Sequence, residues 1–189
     1  MKPRSLIFAL LAAAFITSLF AVDLPQAPTT PPSPTTSSGS YGRETFESLT
    51  STGLLKLNRT TVTRHLSVNG ILISQGATIG SIDVIGEANL TDTLIENGGT
   101  IFGYIQTHHA SIKQPLIING QKAVFTSSHL AGLTVRRMDA FKGKQIIELR
   151  QKTIVDGPIS FESGKGEVHL YPGSQVLGPV SGGKIVKKS

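Results

Sequence analysis

The side chains able to do acid, base or metal chemistry are few and scattered. Asp83, Glu87, Asp92 and Glu96 fall within one stretch, with Asp83 and Glu87 expected on one lateral face of whatever element carries them. Glycoside hydrolysis needs two carboxylates at a fixed separation, and lyases need a base beside a cation. No Asp-Asp pair and no Gly-His-Gly run supplies either, so these acids read as solvated surface and no catalytic residue is assigned. Of the five histidines only His108 and His109 are adjacent. Neighbours in a strand face opposite sides, so no metal site is assigned, and stacking His65 on His109 or His129 needs a register the sequence does not supply. Ser127-Ser128 before His129 fits no nucleophile motif such as G-x-S-x-G and reads as a polar turn. Zero cysteines exclude disulfides, thiolate metal sites and cysteine nucleophiles. No cofactor is implied.

Charge is the one asymmetry. From Tyr41 to Ile112 there are four basic residues against six acidic ones, and from Lys113 to Ser189 twelve against five. Within the basic half, Arg136, Arg137, Lys142, Lys144, Arg150 and Lys152 crowd a stretch that interrupts the surrounding pattern, so Arg136 to Lys144 is expected to leave the fold as a loop or short helix. Such a face suits an anionic glycan or envelope polymer. Nucleic acid is not expected, because aromatics are only 6% and few rings are left to stack bases.

The elements that position these residues follow from composition. Charged residues are 16%, with 20 glycines and 10 prolines in 189 residues, too little charge for a disordered chain and too much glycine for a helical one. Lys2 and Arg4 ahead of an apolar run from Leu6 to Val22 predict an export signal over residues 1–21, cleaved after Ala21. Left uncleaved, the same run is the chain's expected contact with a membrane, at the short limit for a spanning helix. Residues 22–43 are rich in Pro, Thr and Ser and read as a disordered linker favouring polyproline II.

From residue 44 to 189 the chain repeats itself. Val62-Thr-Arg-His-Leu66-Ser-Val68-Asn-Gly70 matches Ile112-Lys-Gln-Pro-Leu116-Ile-Ile118-Asn-Gly120. A second register links Ile79 to Val84, Phe102 to Thr107 and Leu130 to Val135, and a third copies Ile154 to Ser160 into Val176 to Gly182, 22 residues on. The unit is a short strand of two or three inward apolar residues ended by glycine, at solenoid spacing. Stacked units build aliphatic ladders about 4.8 Å apart. Taking about 20 residues per coil, the domain divides into about seven coils. Tyr41 to Leu49 is expected to cap one end, with Phe46 and Leu49 on one face. The other end carries a short strand and a basic tail, Gly182 to Lys188. Open coil ends pair with further copies.

The glycine-punctuated runs Leu66-Ser-Val68-Asn-Gly70, Ile82-Asp-Val84-Ile-Gly86 and Ile159-Ser-Phe161 resemble the bactofilins over roughly Leu54 to Val186. That resemblance implies a right-handed parallel β-helix and polymerisation. The chain departs from the family in its export segment and in the insert from Arg136 to Lys144. The expectation is an exported, non-catalytic, self-associating β-helix of the bacterial envelope. The alternative is a binding module with its basic face on an anionic polymer.

Overall fold

The computed structural model describes residues 33–189. Among these residues there is no helix: twenty strands, every pair of them parallel, wind into a β-solenoid of about nine coils. The coils are shorter than expected, which is why there are more of them. His65 bonds Ser81, 16 residues on, and Ser81 reaches back to Arg64, 17 residues away. Only the later coils lengthen, with Ser128 and Thr153 stacked at a separation of 25 and Ser160 and Ser181 at 21. At about 4.8 Å per coil the stack is a rod about 40 Å long.

Each coil has three faces. The first stacks Leu49, Leu66, Ile82, Gly99, Leu116, Leu133, Ile159 and Val180 in one column, with Ser51, Val68, Val84, Ile101, Ile118, Val135 and Phe161 two residues along. The second carries Leu55, Leu72, Ala88, Ile105, Ala123, Ile147 and Val168. The third carries Phe46, Val62, Ile79, Ile95, Ile112, Leu130 and Val155. These alternate inward residues form one continuous aliphatic core, the ladder that a period of two in stacked strands dictates.

The corners explain the glycines. Between the first and second faces lie Gly53, Gly70, Gly86, Gly103 and Gly120, one above another. A Cβ on Gly86 would sit 2.0 Å from the carbonyl oxygen of Gly70, and Gly86 itself has φ 132°. Only glycine allows so close a backbone approach. Between the second and third faces each coil instead turns on one left-handed residue: Arg43, Arg59, Gly76, Asp92, His109, Ser127 and, after Arg150, Gln151 with Lys152. Its N–H donates to the carbonyl before the corresponding residue of the next coil, as from Arg59 to Gln75 and from Asp92 to His108. From Arg59 onward the next residue is small and buried, namely Thr60, Ala77, Thr93, Ala110, Ser128 and Thr153, whereas Glu44 after Arg43 is exposed. Its hydroxyl, where present, bonds inside the wall, as Ser128 Oγ does to the Thr126 carbonyl at 2.8 Å.

Several expectations change in detail. Residues 33–43, assigned to the linker, already belong to the stack: Thr35–Thr36 pairs with Thr50 and Ser51, and Gly39–Gly42 with Leu55 to Asn58. Residues 1–32, which hold the expected signal and the rest of the linker, lie outside the described residues. Tyr41 to Leu49 forms ordinary coil, not a cap. Phe46 and Leu49 both point inward but on different faces, and Tyr41 packs edge-on against Phe46 with ring centroids 4.9 Å apart. The first repeat pair stacks in register. In the second, the copy from Phe102 to Thr107 is displaced: Ile105 lies on the second face, and Phe102 points outward at the glycine corner. In the third, Val155 stacks on Val176 and Ile159 on Val180.

Arg136 to Lys144 leaves the coil as a loop without helix, between Leu133–Val135 and Gln145–Arg150. It replaces the glycine corner at its level, and Gln145 makes good the loss. The buried Gln145 amide nitrogen donates to the Gly120 carbonyl at 3.1 Å and to the Arg136 carbonyl at 2.7 Å, so it closes the loop and satisfies the corner below.

Candidate functional site

The six expected basic residues do not form one cluster. Arg136, Arg137, Lys142 and Lys144 sit on the loop at the glycine corner, whereas Arg150 and Lys152 lie at the other edge of the second face. Several are already engaged. Arg150 pairs with Glu148, which also holds Lys122 at 2.8 Å, and its guanidinium lies 5.1 Å from the Tyr171 ring centroid. Burial pushes the Glu148 carboxyl up, but the Lys122 hydrogen bond and the charges of Arg150 and Lys122 outweigh it and hold it below the ordinary carboxylate value. Burial likewise works against the Arg150 charge, and Glu148 overcomes it, leaving the guanidinium raised. Arg137 stands 3.4 Å from Asp139, and Lys142 donates to the Asp139 carbonyl at 2.8 Å.

What the loop does build is a cleft with the two coils that follow it. Lys144 meets Lys165 and Lys184 around an opening of about 510 Å³ whose floor is Gly164, Gly166, Gly182 and Gly183. Glu167 anchors it, with Oε1 at 2.7 Å from Lys144 Nζ and 3.6 Å from Lys184 Nζ, and Oε2 at 3.1 Å from His169 Nε2. Hydrogen bonds from Lys144 and His169 pull the Glu167 carboxyl down to about 2. A second opening of about 240 Å³ adjoins it through Lys165 and is lined by Arg137, Met138, Phe141, Lys142, Gly143 and Ser163. Lys165, Lys184 and Phe141 escaped the sequence reading because the glycine corner gathers them from three coils. Their one local signal is a lysine beside glycine in Gly164-Lys165-Gly166 and Gly183-Lys184.

The acids and histidines are dispersed. Asp83 lies on the first face and accepts from the Thr100 N–H at 3.1 Å, while Glu87 follows Gly86 around the corner and accepts from Asn89 at 2.9 Å. They flank a corner and do not share a face. His65 stacks beside Ser48 and Ser81, far in register from His109 at the left-handed corner and His129 on the third face. The His108 and His109 rings do not diverge: the left-handed turn at His109 brings their centroids to 4.0 Å. No group of three or more His, Asp or Glu among the described residues is placed to hold a metal ion. Ser128 is a wall residue whose hydroxyl bonds Thr107 and Thr126, and His129 turns its Nε2 to Asp156 at 2.7 Å.

Two surfaces are unusually apolar. The last coil, Gln175–Val176, Val180–Ser181 and Gly183–Lys187, pairs on one side only among the described residues, leaving Leu177 64% and Ile185 44% exposed. Leu54, Ile71, Ile73, Ile85 and Phe102 are the other exposed large hydrophobics; all but Ile73, which faces outward on the second face, adjoin the glycine corner through consecutive early coils.

Fold and surface together define a β-solenoid with a basic corner and, among the described residues, a last coil paired on one side only. No protein-family model matches the chain, and no match was found among the curated proteins or the solved structures.

Proposed function

We propose that this chain is an exported, non-catalytic structural rod of the bacterial envelope that associates with further copies through its coil ends. The coil is taken as right-handed, as the resemblance to bactofilins implies. Export rests on Lys2, Arg4 and the apolar run that follows, and polymer formation on the resemblance to bactofilins. The observation that carries the reading is the uncovered last coil. Ile185 stacks on the buried Val168 and has nothing above it among the described residues, so an apolar ladder and a row of backbone hydrogen-bonding groups end in solvent. Such an edge templates another strand. The apolar stripe from Leu54 to Phe102 supplies a further contact for side-by-side packing. The expected outcome in electron micrographs is filaments of the full chain and single rods of Ile185→Lys. Filaments undiminished by Ile185→Lys would place the contact elsewhere and sink the end-to-end reading.

A second reading has its own observation, the three lysines around one cleft. In it the rod attaches to an anionic envelope polymer through the basic corner, including Arg136, Arg137, Lys142 and Lys144. Solvent-exposed charges are screened beyond about 8 Å at physiological ionic strength, so this attachment weakens steeply with salt, whereas coil-end association tolerates it.

A further inference from the structure

The corner of the last three coils carries more than a diffuse positive field. Lys144 and Lys184 both stand beside one carboxylate, Glu167, at 2.7 and 3.6 Å, which draws two ammonium groups to a single cleft. Each ammonium has three donors, and Glu167 takes one from each at most. Lys165, which makes no ion pair among the described residues, stands between this cleft and the adjoining one, whose lining brings Arg137, Lys142 and the partly exposed Phe141 ring. Three bases against one acid line the first opening, and three bases line the second, where Asp139 stands 3.4 Å from Arg137 and Glu162 accepts from the Arg137 N–H at 3.2 Å. Lys165 is common to both.

A small inorganic anion leaves much of this unused. An opening of about 510 Å³ holds a sugar ring, and small-ligand sites are commonly upward of about 300 Å³. Glu167 repels a bare anion but accepts from hydroxyls. The chemistry that satisfies ammonium groups, a carboxylate and a glycine-lined floor together is a ring bearing both a carboxylate and hydroxyls. The adjoining opening of about 240 Å³ is too small to enclose a second ring, but it shares one lysine and offers an aromatic face against which the next residue of a chain can lie. We infer that the paired clefts joined at Lys165 are a binding site for an acidic polysaccharide, with a uronate carboxylate between Lys144, Lys165 and Lys184. The next acidic sugar lies against Phe141, Arg137 and Lys142. Glu167 takes a hydroxyl hydrogen bond and positions the two lysines. This assignment rests on the attachment reading and specifies its site and ligand.

The test is affinity of the full chain for oligogalacturonate, measured by calorimetry at low salt, with dextran as the uncharged chain and dextran sulfate as the sulfated one that lacks carboxylates. Oligogalacturonate binds and dextran does not. Lys165→Gln, on an exposed turn where folding is undisturbed, weakens binding about tenfold, the loss of one charge-assisted contact. Lys152→Gln, at the opposite corner, leaves it unchanged. Phe141→Ala weakens the longer oligomers and spares a single galacturonate. Equal losses in Lys165→Gln and Lys152→Gln overturn the site, because binding then follows net charge alone. Dextran sulfate bound as tightly as oligogalacturonate overturns the carboxylate assignment. Retained affinity in Lys165→Gln, with loss when Arg136, Arg137, Lys142 and Lys144 all become Gln, overturns the paired clefts and leaves the attachment reading standing. No binding by the unaltered chain removes both.

Discussion

At the scale of single residues, Glu167 is the side chain whose ionisation matters most to the last coils. Its carboxyl titrates at about 2 in the fold, against 4.5 for the free group, because Lys144 and His169 hydrogen-bond the charged form. A depressed carboxylate contributes stability that is fully present above the unfolded value and is lost as pH falls through the folded one. Melting curves of the wild type and Glu167→Gln therefore differ by a constant amount at neutral pH. The gap narrows below about pH 4.5 and closes near pH 2. A gap independent of pH would mean that Glu167 acts through packing alone. The sequence located Lys144 but not this partnership. Glu167, Lys165 and Lys184 lie far along the chain, and only the stacking of corners unites them.

At the scale of the element, the inward columns were legible because stacked strands leave the same aliphatic pattern in each coil. Leu66 and Val68 share their columns with Leu116 and Ile118 through intermediate coils. The coil count was not legible. One of the three corners turns on a left-handed residue that is Arg, Asp, His or Ser as readily as Gly, because the turn is held by backbone bonds to the next coil. The unit visible only afterwards is a small buried residue, one outward residue and an aliphatic, as in Thr60-Thr-Val62, Ala77-Thr-Ile79 and Thr93-Leu-Ile95. Reading it gives coils of 16 or 17 residues. The ladder itself predicts a sharp contrast between neighbours. Val84 is fully buried, and Val84→Asp leaves an unpaired charge in the core at a cost on the order of 3–5 kcal/mol. Asp83 points outward, and Asp83→Asn changes stability by about 0.5 kcal/mol or less. Equal melting temperatures for the two variants would contradict the inward assignment of Val84.

At the scale of the whole molecule, the rod is polar in charge and unequal at its ends. The acidic excess lies in the early coils and the basic excess in the late ones. The late end carries exposed Leu177 and Ile185 above an otherwise closed core. Apolar and backbone contacts at such an end are insensitive to ionic strength, while the basic corner is not. Sedimentation velocity of the full chain over a range of protein and salt concentrations separates the two most directly. Coil-end association predicts species that grow in whole-chain steps with protein concentration, persist in high salt and collapse to a monomer in Ile185→Lys. A single monomeric species at every concentration, or assembly that salt dissolves, would contradict it.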